Sequence, residues 1–336
     1  MYDVSGIEAL ADALVFNGSL NSLDLSRNNI GPEGAEALTV ALTPNAAGLC
    51  NRSLDTLDVR GNAITGEAAE QLAKAVLEHP SMKVFNTIAM QDVKNDQLTQ
   101  LDLRKADVGI PGVVVLSKLL VFNGSLNTVN LSYNFIGDEG AKALAVALTP
   151  NMEGVFNRFL NTLDISGNNI GPDGAKALAV ALTPNEDGVF NESLNTLNLD
   201  RNQLCGVDGD GDGTSDASGI KALANALASN KSLNTLNLAD NNIGPDEAKA
   251  LALALTPNQE GVFNTSLNTL ILSGNEIGPE GAKALAAALT PNEKGMFNTS
   301  LNTLNLKYND VGDEGEAAVQ EVVKKHPNVA TFNLKI

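Results

Sequence analysis

Leucine recurs along the chain in a fixed phrase. The words LNSLDLSRNNI, LDTLDVRGNAI, LTQLDLRKADV, LNTVNLSYNFI, LNTLDISGNNI, LNTLNLDRNQL, LNTLNLADNNI, LNTLILSGNEI and LNTLNLKYNDV begin at Leu20, Leu54, Leu98, Leu126, Leu160, Leu194, Leu233, Leu267 and Leu301. They follow the form L-x-x-L-x-L-x-x-N-x-(I/L/V), with Val or Ile at a leucine place in three copies and Ala106 at the ninth place of the third. Apolar residues at the first, fourth and sixth places face one side of a short strand, and the polar residues between them face the other. The ninth-place Asn, as in Asn28, Asn134 and Asn168, can satisfy backbone groups of the turn through its amide. Stacked copies then predict a ladder, which Ala106 interrupts in the third copy.

A second phrase follows each strand, for example GPDGAKALAVALTPN. Pro beside an acidic residue reads as a helix start, and Ala175, Leu178, Ala179 and Leu182 fall on one helical face. Each unit is therefore a strand followed by a helix. The shortest spacing between copies is 28 residues, and the common spacing of 34 adds six residues between helix and next strand. Helices are wider than strands, so stacking curves the array. The predicted fold class is α/β, a solenoid (horseshoe) with a parallel sheet on the concave face and helices on the convex face.

These phrases resemble the ribonuclease-inhibitor type of leucine-rich repeat, whose units are about 28 residues with a full helix. The same repeat is found in Ran GTPase-activating proteins and NOD-like receptors. The resemblance covers essentially the whole chain and implies the fold. It implies no site residue, because that repeat serves unrelated functions.

Two segments depart from the pattern in the same way. EHPSMKVFNTIAM at Glu78 and KHPNVATFNLKI at Lys325 each place His-Pro after a helix and then a degenerate strand, Met82 and Phe85 in one, Val329 and Phe332 in the other. Both read as strands that close a block. The expectation is a single solenoid over 1–336, divisible into blocks 1–88 and 98–336 by a seam at 89–97 that tolerates change. His79 and His326 become equivalent helix-end residues beside carbonyl groups, with no metal or catalytic role.

Composition narrows the function. A formal net charge of −18 argues against nucleic acid and anionic membrane surfaces as partners, and no apolar run is long enough to span a bilayer. Two isolated cysteines, Cys50 and Cys205, build no disulfide framework and fit a reducing compartment. A cytoplasmic monomer is the expectation. The extracellular alternative rests on Asn-x-Ser sequons, seven of which share one register of the repeat, at Asn17, Asn51, Asn123, Asn191, Asn230, Asn264 and Asn298.

No Ser-His-Asp, Cys-His, Walker or zinc spacing is present, and the concave face repeats the same residues instead of converging unlike ones. The reading is a non-enzymatic scaffold that binds a protein partner on its concave face. The alternatives are a GTPase activator resembling the Ran-directed family and an inhibitor of a basic enzyme. Partner-binding candidates lie in the amino-terminal half, where Arg27, Arg60, Arg104 and Lys105 stand beside Asp24, Asp58 and Asp102, with Tyr133 as an exposed aromatic. Arg and Tyr are frequent binding anchors.

One insertion breaks the regularity. The copy at Leu194 carries 11 extra residues between strand and helix, including DGDGDGTSD. Asp208, Asp210 and Asp212, the Thr214 carbonyl and Asp216 have the spacing of a calcium loop, with Gly213 at the sixth position. The twelfth position is Gly219 where an EF-hand has Glu, so a weak, structural Ca2+ site is expected.

Overall fold

A computed structural model describes residues 4–206, 213–258, 263–292, 295–325 and 333–336. The repeats form two sheets. The first contains β1 (Ser22–Asp24), β2 (Thr56–Asp58), β3 (Val84–Phe85) and β4 (Ile88–Ala89), in that order. The second runs in sequence order through β5 (Gln100–Asp102), β6 (Thr128–Asn130), β7 (Thr162–Asp164), β8 (Thr196–Asn198), β9 (Thr235–Asn237), β10 (Thr269–Ile271), β11 (Thr303–Asn305) and β12 (Asn333–Lys335). Every pairing is parallel except β3 with β4, a hairpin.

The helices are α1 (Ser5–Phe16), α2 (Gly31–Leu42), α3 (Gly66–Glu78), α4 (Met90–Lys94), α5 (Gly109–Leu120) and α6 (Gly137–Leu148). After them come α7 (Pro172–Leu182), α8 (Ser218–Ser229), α9 (Pro245–Leu255), α10 (Gly278–Ala288) and α11 (Gly312–Lys325). The architecture is the α/β solenoid that the pattern predicts. Strand residues such as Leu126, Val129 and Leu131 and helix residues such as Ala175, Leu178 and Leu182 are buried in one continuous core.

Backbone polar groups between repeats are satisfied by two ladders of asparagine. In the first, the ninth-place Asn reaches back to the preceding unit. Asn62 Oδ1 accepts the N–H groups of Asn28 and Ile30 at 2.8 and 3.1 Å, while its Nδ2 donates to Leu25 O at 2.8 Å and Val59 O at 2.9 Å. Asn134, Asn168, Asn202, Asn241, Asn275 and Asn309 bridge neighbouring units in the same manner.

The second ladder is built from the sequons. Asn51 Nδ2 donates to Leu14 O and Asn17 O, both at 2.9 Å, and its Oδ1 accepts from Ser53 N and Leu54 N. Ser53 Oγ adds a bond to Leu20 O at 2.9 Å. Asn157, which Phe159 keeps from being a sequon, makes the same kind of rung. Six of the seven sequon asparagines are buried, and each donates its Nδ2 to a carbonyl of a preceding unit. A glycan on that nitrogen is incompatible with this fold. Of the seven, Asn17 is exposed, and Asn130, in an Asn-Leu-Ser outside this register, is half-buried, so most of the sequons are structural rungs and their number is no argument for an extracellular setting.

His79 occupies a rung of this second ladder. Its Nε2 donates to Asn51 O at 2.9 Å, and Ser81 Oγ takes the place of Ser53 by bonding Leu54 O at 2.8 Å. The carbonyl neighbour expected for His79 is present; His326 lies outside the described residues.

The segment 89–97 is packed rather than loose. Asn86 and Thr87, at φ 47° and 70°, turn the chain back into β4, and Met90 and Val93 are fully buried. Val93 O accepts from Asn123 Nδ2 at 2.7 Å, and the Asp96 carboxylate accepts from Gly124 N at 2.8 Å. The sheet stops here but the helical layer does not, because α3 packs directly on α5. Where Ala106 omits a rung, Asn86 substitutes in part, accepting from Val59 N at 2.9 Å and donating to Val108 O at 3.0 Å. A cavity of about 120 Å³ remains beside Asn62, Ile64 and Val108.

Two predictions follow from the ladders. Asn168→Ala should cost about 3 kcal/mol, because it leaves buried donors and acceptors unpaired, whereas Ala106→Asn should gain about 1 kcal/mol by completing a rung. Urea denaturation checks both. Burial lowers the His79 pKa, so below the unfolded value of about 6.5 the unfolded chain binds more protons than the folded one. His79's contribution to stability should be complete above that pH and lost as pH falls through it. His79→Asn, the residue used by the other rungs, should flatten the change in urea midpoint between about pH 7.5 and 5.5.

Candidate partner-binding face

The turns that follow the strands carry the charged and aromatic residues of the concave side. The eighth place of each repeat lies in the left-handed region: Arg27, Lys105, Tyr133, Arg201, Asp240 and Tyr308 have φ between 50° and 61°, and Gly61, Gly167 and Gly274 have φ between 63° and 68°. A non-glycine residue in this conformation costs roughly 1–2 kcal/mol, yet six of these nine positions carry a large or charged side chain.

Glycine at the remaining positions makes room for neighbours. The Tyr133 ring lies over Gly167, where a Cβ would meet ring atom Cδ1 at 2.6 Å. Lys105 Nζ sits 5.2 Å from the centre of the same ring, a cation–π contact. On its other side the Tyr133 hydroxyl accepts from Arg201 Nη1 at 2.9 Å, and Arg201 Nε donates to Asp240 Oδ2 at 3.1 Å. Lys105, Tyr133, Arg201 and Asp240 thus form a connected row spanning five repeats. Arg201 and Asp240 were not singled out by sequence, although both stand in the eighth-place column with Tyr133. Burial and the nearby Asp240 charge raise the pKa of Asp200, next to Arg201.

The fifth-place residues bond their own turns. Asp24 Oδ1 accepts Ser26 N at 2.8 Å, Asp58 Oδ1 accepts Arg60 N at 3.0 Å and Asp102 Oδ1 accepts Arg104 N at 3.1 Å. Asn130, Asp164, Asn198, Asn237 and Asn305 make the same bond two residues on. Ser26, through its hydroxyl and its N–H, holds the Asp24 carboxyl below the usual range, and the Arg104 N–H does the same for Asp102.

The four cations differ in what they touch. Arg60 is held by Asp58, with Nη2 to Oδ2 at 2.6 Å, and its Nη1 donates to Ala106 O at 2.8 Å across the break in the sheet. Arg27 is 81% exposed, with Nε 4.0 Å from Asp107. Arg104 is 56% exposed and 3.1 Å from Asp102. The structure therefore brings Arg27, Arg60 and Asp107 together at the break, and joins Lys105 to Tyr133.

Three of the calcium-loop residues, Asp208, Asp210 and Asp212, lie outside the described residues. The neck of that insertion is described. Asp216 N donates to Cys205 O at 2.8 Å, and Gly206, at φ 76°, lies against the Thr214 carbonyl. Asp216 Oδ1 accepts Ser218 N at 2.8 Å at the start of α8. Among the described residues no group of three or more His, Cys, Asp or Glu side chains is arranged to hold a metal ion. Burial pushes the Cys205 thiol up to about 12, which keeps it protonated and unreactive at neutral pH.

A family model described as Leucine Rich repeat matches residues 16–38, 50–73, 122–145, 156–179, 229–252, 263–286 and 297–318. The chain carries leucine-rich repeats. Each matched segment spans a strand phrase and the start of its helix, the same units that the two asparagine ladders join. Among solved structures, Leiomodin-1 Actin-Binding Site 2 (ABS2) aligns with 44% of this leucine-rich-repeat chain and 75% of its own, at 22% identity and a TM-score of 0.34. No curated protein matches the sequence. Among the described residues no helix is long and apolar enough to cross a membrane.

Proposed function

We propose that this leucine-rich-repeat solenoid, of the ribonuclease-inhibitor-like type, is a non-enzymatic scaffold that binds a protein partner on the amino-terminal half of its concave face. The observation that carries this reading is the eighth-place row. Large side chains are held there in left-handed backbone despite its cost, and in the amino-terminal half Lys105 and Tyr133 support one another, with Arg201 bracing the Tyr133 hydroxyl from the carboxyl-terminal side. Strain retained in a preorganised row is a mark of binding surfaces. Arg27, Arg104, Lys105 and Tyr133 are the contacts to the partner, while Arg60, Asp24, Asp58 and Asp102 hold the turns that present them.

A photo-crosslinking amino acid at Thr128, on the concave side, should capture a defined partner from an extract of the source cells. The same group at Val180, exposed on the convex side, should not. Capture from Val180 alone would sink the concave-face reading. Tyr133→Ala should weaken the captured complex by about 2 kcal/mol if Tyr133 is an anchor.

The Asp/Gly insertion is a weak structural calcium loop in this reading. The neck supports it, because the Cys205–Asp216 bond brings together the two ends of the insertion, as a chelating loop requires. Calorimetry should detect calcium with a dissociation constant on the order of 10⁻⁴ to 10⁻³ M, and Asp210→Ala with Asp212→Ala should abolish the heat. No heat from the unaltered protein at millimolar calcium would leave the stretch a surface loop.

A further inference from the structure

The hydrogen-bonding register exposes an unpaired strand edge in the middle of the concave face. In this sheet, backbone N–H groups alternate in direction. Third-place N–H groups donate to the preceding strand, as Thr56 N does to Asn21 O at 3.0 Å, and sixth-place N–H groups donate to the following one, as Leu25 N does to Asp58 O at 2.8 Å. Applied to β5, the same alternation points the N–H and C=O groups of Gln100 and Asp102 toward the preceding side. Among the described residues β5 pairs only with β6, because β4 closes a hairpin on β3 and forms no ladder with β5.

Exposure agrees with that register. Gln100 and Asp102 are exposed and Leu101 is half-buried, whereas the equivalent β2 residues Thr56 and Asp58 are half-buried and Leu57 is buried. β1 has the same open pattern as β5, but β1 is the first strand of the array and β5 is internal. An open edge with alternating donors and acceptors is a ready template for another extended chain.

The surroundings specify its charge. At the turn beyond β5, Arg27 is the most exposed charge, at 81% against 32% for Asp107, and Arg104 stands level with its partner Asp102, at 56% and 59%, while Asp58 is withdrawn to 15% beside Arg60. On a chain of net charge −18, this is a local cationic rim. The geometry points to β5 as a docking edge for an extended segment of a protein partner. That segment adds as a strand beside Gln100–Asp102, lays an apolar side chain against Leu101, and directs carboxylates to Arg27 and Arg104. This deepens the reading of the concave face as the binding face and rests on it.

The test is selection of random octapeptides, displayed on phage, against the full chain. Enriched peptides should alternate apolar with polar residues and carry carboxylates. A synthetic octapeptide from the selection should slow hydrogen exchange at the Gln100 and Asp102 amides of the unaltered protein. Gln100→Pro, which removes an edge N–H, should weaken it by about tenfold or more, as should Arg104→Glu. Ser22→Pro, at the equivalent place in β1, should leave it unchanged. Failure to enrich any octapeptide, or binding without slowed exchange at Gln100 and Asp102, overturns the docking edge. Peptides that instead slow exchange at other concave strands and ignore Gln100→Pro overturn it while leaving the concave-face reading intact.

Discussion

A buried turn between stacked units leaves backbone N–H and C=O groups that neither the strand nor the helix of its own unit can satisfy. The carboxamide of Asn answers this constraint because it offers donors and an acceptor on one short planar group. Asp has no donor when ionised, and Ser has one hydroxyl for both roles. Two such ladders run the length of the stack, one at the turn after each strand and one before it, and the leucine core can close only because they hold the polar groups between its layers.

Much of this was legible in the sequence. The strand phrase, the helix face at Ala175, Leu178, Ala179 and Leu182, and the first ladder with its gap at Ala106 all follow from periodicity, which is local and repeated. The second ladder was hidden behind a familiar spelling, since Asn-x-Ser reads as a glycosylation signal. Two signals were available against that reading: Asn157 stands in the same register without the Ser, and His79-Pro-Ser aligns with Asn51-Arg-Ser. The β3–β4 hairpin and α4 were not legible, because they occur once. A turn formed by Asn86 and Thr87, both at positive φ, lacks the glycine that marks such turns in sequence.

The binding-face residues were legible as a column but not as roles. Asp24, Asp58 and Asp102 looked like one side of a charged patch, yet each carboxylate turns back to an N–H two residues on. Sequence cannot separate a surface charge from a turn cap when the same Asp serves as either. Arg60 likewise reads as an exposed cation, and only the geometry of the interrupted sheet shows it reaching the Ala106 carbonyl. Tyr133 was visible by its rarity. Its partners were not, because the contact depends on Gly167 being small enough to lie beneath the ring.

Both ladders point the same way along the chain. Asn62 completes the turn of the unit before it, and Asn51 completes the helix end before it. Each unit is therefore finished by its successor. A polypeptide made from its amino end must hold every newly emerged unit with unpaired groups until the next unit leaves the ribosome, so folding trails synthesis by one repeat. Erosion differs at the two ends: loss of a unit from the carboxyl end strips backbone groups of the preceding turn of their Asn partner, while loss from the amino end leaves Asn side chains and third-place N–H groups without their acceptors.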